Sequence, residues 1–176
     1  TKLGNKAKLY WHKKGLTADD MATLAMILQT NALPRMREID LPNNNLGDAG
    51  VQALCEGLGH QASLLKPVRL GLFNTNIGDA GVQALCEYLG HHGALLLELD
   101  LSYNHIRSQG AAALAAPLRK HPALKKLLLT GCEIGDEGVA SLFANLGKDD
   151  FKALEWLWLK ANQITDAGMA TLRSEE

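Results

Sequence analysis

The sequence predicts an α/β solenoid: a short horseshoe arc of six strand–helix repeats, with a parallel β-sheet on the concave side and helices on the convex side. Two observations lead to this prediction. A segment of fifteen residues that begins at Leu46 returns 31 positions later, at Ile77, with only two changes. The apolar anchor of this segment then occurs six times, 28 to 31 residues apart, at Leu16, Leu46, Ile77, Ile106, Ile134 and Ile164. Such a period over a whole chain is typical of stacked repeat proteins.

Each repeat changes its apolar spacing halfway. Apolar residues two apart are typical of a β-strand, and the predicted strands contain Ile39/Leu41, Leu70/Leu72, Leu99/Leu101, Leu127/Leu129 and Leu157/Leu159. Apolar residues four apart are typical of a helix face, and the predicted helices contain Leu54/Leu58, Leu85/Leu89, Leu114/Leu118 and Leu142/Leu146. One strand–helix unit cannot cover its own apolar face, so the repeats must stack into a single domain. They are placed near residues 7–35, 36–66, 67–95, 96–123, 124–153 and 154–176.

Polar residues and glycines recur where each predicted helix begins. Short polar side chains at helix starts can cap free N–H groups, so we expect this role for Asp48, Asp79, Ser108, Asp136 and Asp166. A glycine inside a helix costs about 0.5–1 kcal/mol relative to alanine, and a repeated cost needs a repeated cause. We expect that cause to be a close helix-to-strand approach at Gly50, Gly81, Gly110, Gly138 and Gly168.

The composition excludes several classes of function. Of 176 residues, 47% are hydrophobic and 21% are charged, as in a soluble globular protein, and the net charge of -1 disfavours nucleic-acid binding. No apolar run approaches the roughly 20 residues that a membrane-spanning helix needs. Three cysteines, an odd number, argue against a disulfide framework and favour an intracellular protein.

The whole pattern resembles the leucine-rich repeat family, in its long ribonuclease-inhibitor-like subtype, from about Leu9 to Leu172. The phrases Leu99–Asn104 and Gly47–Val51 are also similar to repeats of NOD-like innate immune receptors. The resemblance implies one parallel strand and one helix per repeat, with protein partners held on the concave face. It also implies a column in which a buried side chain bonds to loop backbone groups: Asn44, Asn104 and Asn162, replaced by Lys14, Thr75 and Cys132 in the other repeats.

Residues that alternate with the core leucines should form the concave face. One predicted column alternates in charge, and we interpret it as a ladder of ion pairs between neighbouring strands: Lys8, Glu38, Arg69, Glu98 and Lys126. In the next column Asp40 and Asp100 have no basic residue, and they form an acidic stripe that could meet a basic partner. Exposed tryptophans beside a leucine are typical of a binding hot spot. The candidate protein-binding residues are Trp156, Trp158, Leu128, Asp100, Asp40, Tyr103, Phe73 and Tyr10. Alternatively, the two tryptophans pack against a further repeat or a cap.

No catalytic, metal-binding or cofactor-binding residues are predicted. Cys55 and Cys86 lie in successive helices, whose spacing of ~8–10 Å exceeds the ~7 Å that a disulfide allows, so we interpret them as buried or half-buried thiols. The six histidines form no catalytic or metal-ligand grouping. Arg107 stands in a loop where other repeats carry glycine or threonine, and we interpret it as a solvated surface residue.

The sequence therefore predicts a non-enzymatic protein-recognition module, six repeats long, that belongs to a larger protein. Its partner is a protein, with no nucleic acid and no membrane insertion. Three alternatives remain: the sensor arm of an innate-immune-type receptor, a structural subunit of a large assembly, and a Ran-type GTPase activator that acts through Arg107.

Overall fold

A computed structural model describes residues 7–30, 32–60, 68–92 and 95–174. In these ranges strands and helices alternate along the chain. The strands are β1 (Lys8–Tyr10), β2 (Glu38–Asp40), β3 (Arg69–Gly71), β4 (Glu98–Asp100), β5 (Lys126–Leu128) and β6 (Trp156–Trp158). The helices are α1 (Ala18–Gln29), α2 (Gly47–His60), α3 (Asp79–His91), α4 (Arg107–Arg119), α5 (Gly135–Phe143) and α6 (Asp166–Ser174). Each repeat thus contributes one strand and then one helix, as predicted; the expected boundary at 66–67 lies outside the described residues.

The strands form one open sheet in the order β1 to β6, and every neighbouring pair is parallel. The register aligns the middle residues of all strands in one row, in which Leu9 lies opposite Ile39 and Leu127 lies opposite Leu157. Parallel strands lie ~4.8 Å apart, whereas packed helices need ~8–10 Å, so the sheet lies on the inside of the curve. The predicted α/β solenoid is confirmed.

The core lies between the sheet and the row of helices, and it continues through the described repeats. Strand residues such as Ile39 and Leu70 are completely buried, as are helix residues such as Leu54 and Leu85. Burial of each such side chain contributes about 1.5–3 kcal/mol, which explains why the apolar positions recur in every repeat.

Buried asparagines join neighbouring repeats after three of the strands, at Asn44, Asn104 and Asn162, as the resemblance implies. The Oδ1 atom of Asn104 accepts hydrogen bonds from the backbone N–H groups of Thr75 and Ile77, each at 3.0 Å. Its Nδ2 atom donates to the carbonyl oxygens of Leu72 at 2.7 Å and Leu101 at 2.9 Å. One side chain thereby satisfies four backbone groups in two repeats that would otherwise be buried and unpaired.

The residues that replace asparagine in this column also behave as expected. The hydroxyl group of Thr75 donates to the Leu72 carbonyl oxygen at 2.8 Å, and the Cys132 thiol contacts the Leu101 carbonyl oxygen at 3.2 Å. Lys14 is exposed, so its charge remains in water.

The acidic residues at the helix starts do not have the expected role. Asp48 Oδ1 accepts the N–H of Gly78 at 2.6 Å, and Asp136 Oδ1 accepts the N–H of Thr165 at 2.8 Å. Both donors immediately precede the helix of the following repeat. Helices α3, α4 and α5 have no side-chain cap hydrogen bond. The predicted caps are therefore wrong for Asp79, Ser108 and Asp136, whose own helices lack them. The carboxylates of Asp48 and Asp136 instead meet the positive end of the next helix.

The repeated glycines allow helices, rather than a helix and a strand, to approach each other. A Cβ atom at Gly81 would lie 2.8 Å from Asp48 Oδ1 and 3.0 Å from Ile77 Cγ2. At Gly168, a Cβ atom would collide with Asp136 Oδ1. These glycines therefore contact the first turn of the preceding helix and the apolar anchor of their own repeat, and not a strand as expected.

Candidate protein-binding face

Two rows of side chains project from the concave side of the sheet, one on each side of the buried middle row. We call them the first row and the second row. The register places the members of each row opposite one another on neighbouring strands. The first row is Lys8, Glu38, Arg69, Glu98, Lys126 and Trp156, and the second row is Tyr10, Asp40, Gly71, Asp100, Leu128 and Trp158.

The predicted ion pairs occur in part of the first row. Lys8 Nζ lies 2.7 Å from Glu38 Oε1, and an Arg69 guanidinium nitrogen lies 2.7 Å from Glu98 Oε1. Arg69 also reaches diagonally to Asp40 Oδ2 at 3.4 Å. Lys126 is exposed and forms no ion pair with any residue that the structure describes. Arg69 is thus shared between two carboxylates, and the centre of the face is left with more negative than positive charge.

The acidic stripe lies on both sides of Gly71. The Asp40 carboxylate occupies the space that a side chain at Gly71 would fill, since a Cβ atom there would collide with Asp40 Oδ1. Asp100 Oδ1 accepts the N–H of Ser102 at 2.9 Å. Burial raises the pKa of Asp40 above its ordinary 3.8; the Arg69 guanidinium lowers this pKa, and the carboxylates of Asp100, Glu98 and Glu38 raise it further. The face would therefore be stabilised by an added positive charge.

The apolar end of the face consists of Leu128 and the tryptophans of the last strand. Trp156 is 57% exposed and Trp158 is 55% exposed, whereas Leu157 between them points toward the core. Leu128 is half-buried and lies directly opposite Trp158. The two tryptophans therefore do not belong to the hydrophobic core, and their indole rings remain available on the concave side.

The other predicted aromatic residues lie on the same side of the sheet but form separate groups. Tyr10 is 63% exposed and stacks on His12, with ring centroids 6.3 Å apart. Phe73 and Tyr103 pack at 5.0 Å between ring centroids, and the Tyr103 ring covers Gly131. The structure thus brings together Leu128, Trp156 and Trp158 at one end and the acidic stripe at the centre, with Tyr10 at the opposite edge. Sequence reasoning missed the gap at Gly71, although a glycine in a column of large side chains signals it.

The structure supports no chemistry at the other residues considered in the sequence. Cys55 and Cys132 are buried and Cys86 is half-buried, and all three are free thiols, as interpreted. Burial raises the pKa of the Cys55 and Cys132 thiols to about 12, so they are not nucleophilic near neutral pH. Arg107 is exposed and lies 3.6 Å from Glu133.

The described ranges contain no group of three histidine, cysteine or acidic side chains arranged to hold a metal ion. None of their helices combines the length and the apolar character that crossing a membrane requires.

Comparison with known sequences identifies the class of protein that this geometry defines. The leucine-rich repeat family matches residues 34–55, 69–86, 94–115 and 120–143. The chain is 38% identical over 159 residues to human NACHT, LRR and PYD domains-containing protein 12, covering 89% of this chain and 14% of that protein. It is 31% identical over 153 residues to the ribonuclease inhibitor of Sus scrofa, covering 87% of this chain and 26% of that protein.

The chain belongs to the leucine-rich repeat proteins. Within them, the long strand–helix repeats place it in the ribonuclease-inhibitor-like type. It spans about a seventh to a quarter of the length of these relatives. Repeats of this family are typically non-enzymatic and generally bind proteins.

Proposed function

We propose that this chain is a recognition module that binds a protein partner on its concave face. The observation that carries the proposal is the exposure of Trp156 and Trp158, two residues apart on the strand β6, which is held in place by its parallel pairing with β5. Large aromatic side chains held in water on a rigid surface are typical interface anchors, and truncation of such an anchor commonly costs about 2 kcal/mol or more of binding free energy.

The acidic stripe at the centre of the face favours a partner with positive charge. Asp40 shares Arg69 with Glu98, and Asp100 forms no ion pair with any described residue, so a basic patch on the partner would be attracted to this stripe. The sheet loses little conformational entropy on binding, because the asparagine contacts already hold its loops. The three free thiols are consistent with an intracellular partner.

A titration with wild-type and substituted chains tests this proposal. Partners captured from a cell extract by the intact chain are purified, and their affinity is measured by calorimetry for the wild type, for W156A/W158A and for M26A. Met26 is the matched control, because it is 67% exposed but lies on α1, away from the concave face. We expect a loss of at least about 30-fold for the double variant, from about 2 kcal/mol, and no loss for M26A. Equal affinities of the wild type and the double variant, with unchanged melting temperatures, would contradict the proposal.

A second candidate is favoured by one of the relatives. The name of that protein joins leucine-rich repeats to NACHT and PYD domains. In that case, this chain is the sensor arm of a multidomain receptor, and its concave face binds the ligand to which the whole protein responds. The full-length transcript tests this candidate, because a reading frame that encodes repeats alone contradicts it.

A further inference from the structure

An open groove of about 1130 Å³ lies between α2 and α3, on the convex side of the solenoid. We call it the convex groove. Its floor consists of buried side chains, Cys55 on α2 and Ala84 and Tyr88 on α3. Its walls carry polar side chains that are exposed to solvent, among them Glu56 on α2 and Glu87 on α3. The convex groove thus combines an apolar floor with a charged rim.

One difference between two nearly identical helices explains why the groove lies here. Residues 48–60 of α2 and 79–91 of α3 have the same sequence except that Tyr88 replaces Gly57. A Cβ atom at Gly57 would lie 2.7 Å from the Ala25 Cα atom, so α1 and α2 approach closely. Burial raises the pKa of Tyr88 and the nearby Cys55 thiol raises it further, which places the phenol ring against α2. Because a tyrosine needs more space than a glycine, α2 and α3 cannot approach as closely as α1 and α2 do.

The helices around the convex groove carry charges of one sign. Glu56 accepts a hydrogen bond from Gln52 at 3.0 Å, and neither Glu56 nor Glu87 forms an ion pair with a described residue. Burial raises the pKa of the Cys55 thiol to about 12, and the carboxylates of Glu56 and Glu87 contribute to this rise, so both lie near the floor. Lysine and arginine are absent from α1, α2 and α3, whose acidic residues are Asp19, Asp20, Asp48, Glu56, Asp79 and Glu87.

The shape of the convex groove fits a helix. Packed helices lie ~8–10 Å apart, and a third helix can place one apolar row into the groove between two others. Helix α3 has 13 residues and is about 20 Å long, so the groove accommodates between three and four turns of a helix. The glutamates lie on opposite walls, and basic side chains on both sides of the apolar row would therefore meet a carboxylate. Three histidines line the end where α2 and α3 finish: His60, His91 and His92.

We propose that the convex groove binds a basic amphipathic helix of a protein partner. The apolar row of that helix contacts Ala84 and Tyr88, and lysine or arginine side chains beside the row pair with Glu56 and Glu87. The convex groove and the concave face lie on opposite sides of the repeats, so both can be occupied at the same time. The chain then joins two proteins, and binding at the groove does not depend on the tryptophans.

A designed peptide tests this proposal. The probe is a labelled helix of about 14 residues, with leucines along one face and lysines on both sides of them, and its matched peptide carries glutamate in place of every lysine. Fluorescence anisotropy measures the affinity of both peptides for the wild-type chain, for E56Q/E87Q and for E137Q/D166N. The last variant is the control, because it removes the same charge from exposed residues that do not line the groove. We expect E56Q/E87Q to weaken binding of the lysine peptide by about fivefold or more at low salt, and the control to change it by less than about twofold.

NMR shows where the lysine peptide binds, and we expect its addition to shift the amide signals of Ala84 and Tyr88. Four results would overturn the proposal. The first is no binding of the lysine peptide, and the second is equal affinity for the lysine and glutamate peptides. The third is equal affinity of the wild type and E56Q/E87Q for the lysine peptide. The fourth is a loss of affinity in D40N/D100N instead of E56Q/E87Q, which would place the peptide on the concave face.

Discussion

Asn104 is predicted to be the polar side chain on which the junction between the third and fourth repeats depends. It is 1% exposed, and its amide bonds two N–H groups and two carbonyl oxygens of the backbone. Substitution by alanine leaves the N–H groups of Thr75 and Ile77 buried without this acceptor. A buried donor that loses its partner costs about 1–3 kcal/mol, so the two together cost roughly 2–6 kcal/mol. Against a total stability of about 5–15 kcal/mol, this is a large fraction.

Asn44 provides a matched comparison, because it makes the same contacts between the first and second repeats. Its Oδ1 atom accepts from the N–H groups of Lys14 at 2.9 Å and Leu16 at 3.1 Å. Lys14 is exposed and Leu16 is half-buried, so water can replace the lost acceptor. We therefore expect N44A to cost about half as much as N104A, although both variants lose equivalent hydrogen bonds.

Urea unfolding followed by circular dichroism measures both losses. The variant N104D sharpens the test, because it keeps an acceptor for Thr75 and Ile77 but turns a carboxylate oxygen toward two carbonyl oxygens. We expect N104D to be at least as destabilised as N104A. A loss below about 1 kcal/mol for N104A, or equal losses for N104A and N44A, would refute the reasoning that buried backbone groups depend on this column.

Two further predictions concern helix packing and the acidic stripe. A Cβ atom at Gly57 would lie 2.7 Å from the Ala25 Cα atom, whereas one at Gly90 meets nothing within 4 Å. Thermal unfolding should therefore show that G57A destabilises the chain by about 1–3 kcal/mol and that G90A stabilises it by about 0.5–1 kcal/mol. Changes in stability of the same sign for both variants would contradict this reasoning. The raised pKa of Asp40 means that its ionisation opposes folding at neutral pH, and that this cost disappears as the pH falls through the raised pKa. Urea unfolding between pH 3 and 7 should show that D40N has a higher free energy of unfolding than the wild type at pH 7, and that this difference shrinks toward pH 3. A difference that grows as the pH falls would contradict the raised pKa of Asp40.

The sequence was sufficient for the fold because the signals that specify it lie within one repeat. Alternation around Leu70 and a spacing of four residues between Leu85 and Leu89 are local patterns, and each recurs with the same meaning. Repetition removes the usual ambiguity of a short apolar run, since the same run cannot be a strand in one repeat and a helix in the next. The parallel order of the strands then follows from the requirement that every repeat bury the same face.

The roles of the helix-start residues could not be predicted, because they depend on how one repeat meets the next. An aspartate in the first helical turn can cap its own helix or reach a neighbour, and sequence spacing is the same in both cases. Asp48 reaches Gly78 because the helices approach closely enough, and they do so because Gly81 lacks a side chain. The aspartate and the glycine thus form one contact between repeats, although the sequence presents them as two features of a single helix.

The concave face follows a different rule from the junctions, and this difference is the physical basis for placing function there. Inward leucines and loop asparagines recur because each repeat must bury them in the same environment. Concave positions have no such requirement, so Asp40, Gly71, Leu128 and Trp158 can occupy equivalent places on different strands. Two of these choices oppose stability or solubility: a half-buried carboxylate with a raised pKa and a tryptophan more than half exposed to water. That the surface keeps such groups where the fold would accept any polar side chain supports our proposal that contact with a partner offsets their cost.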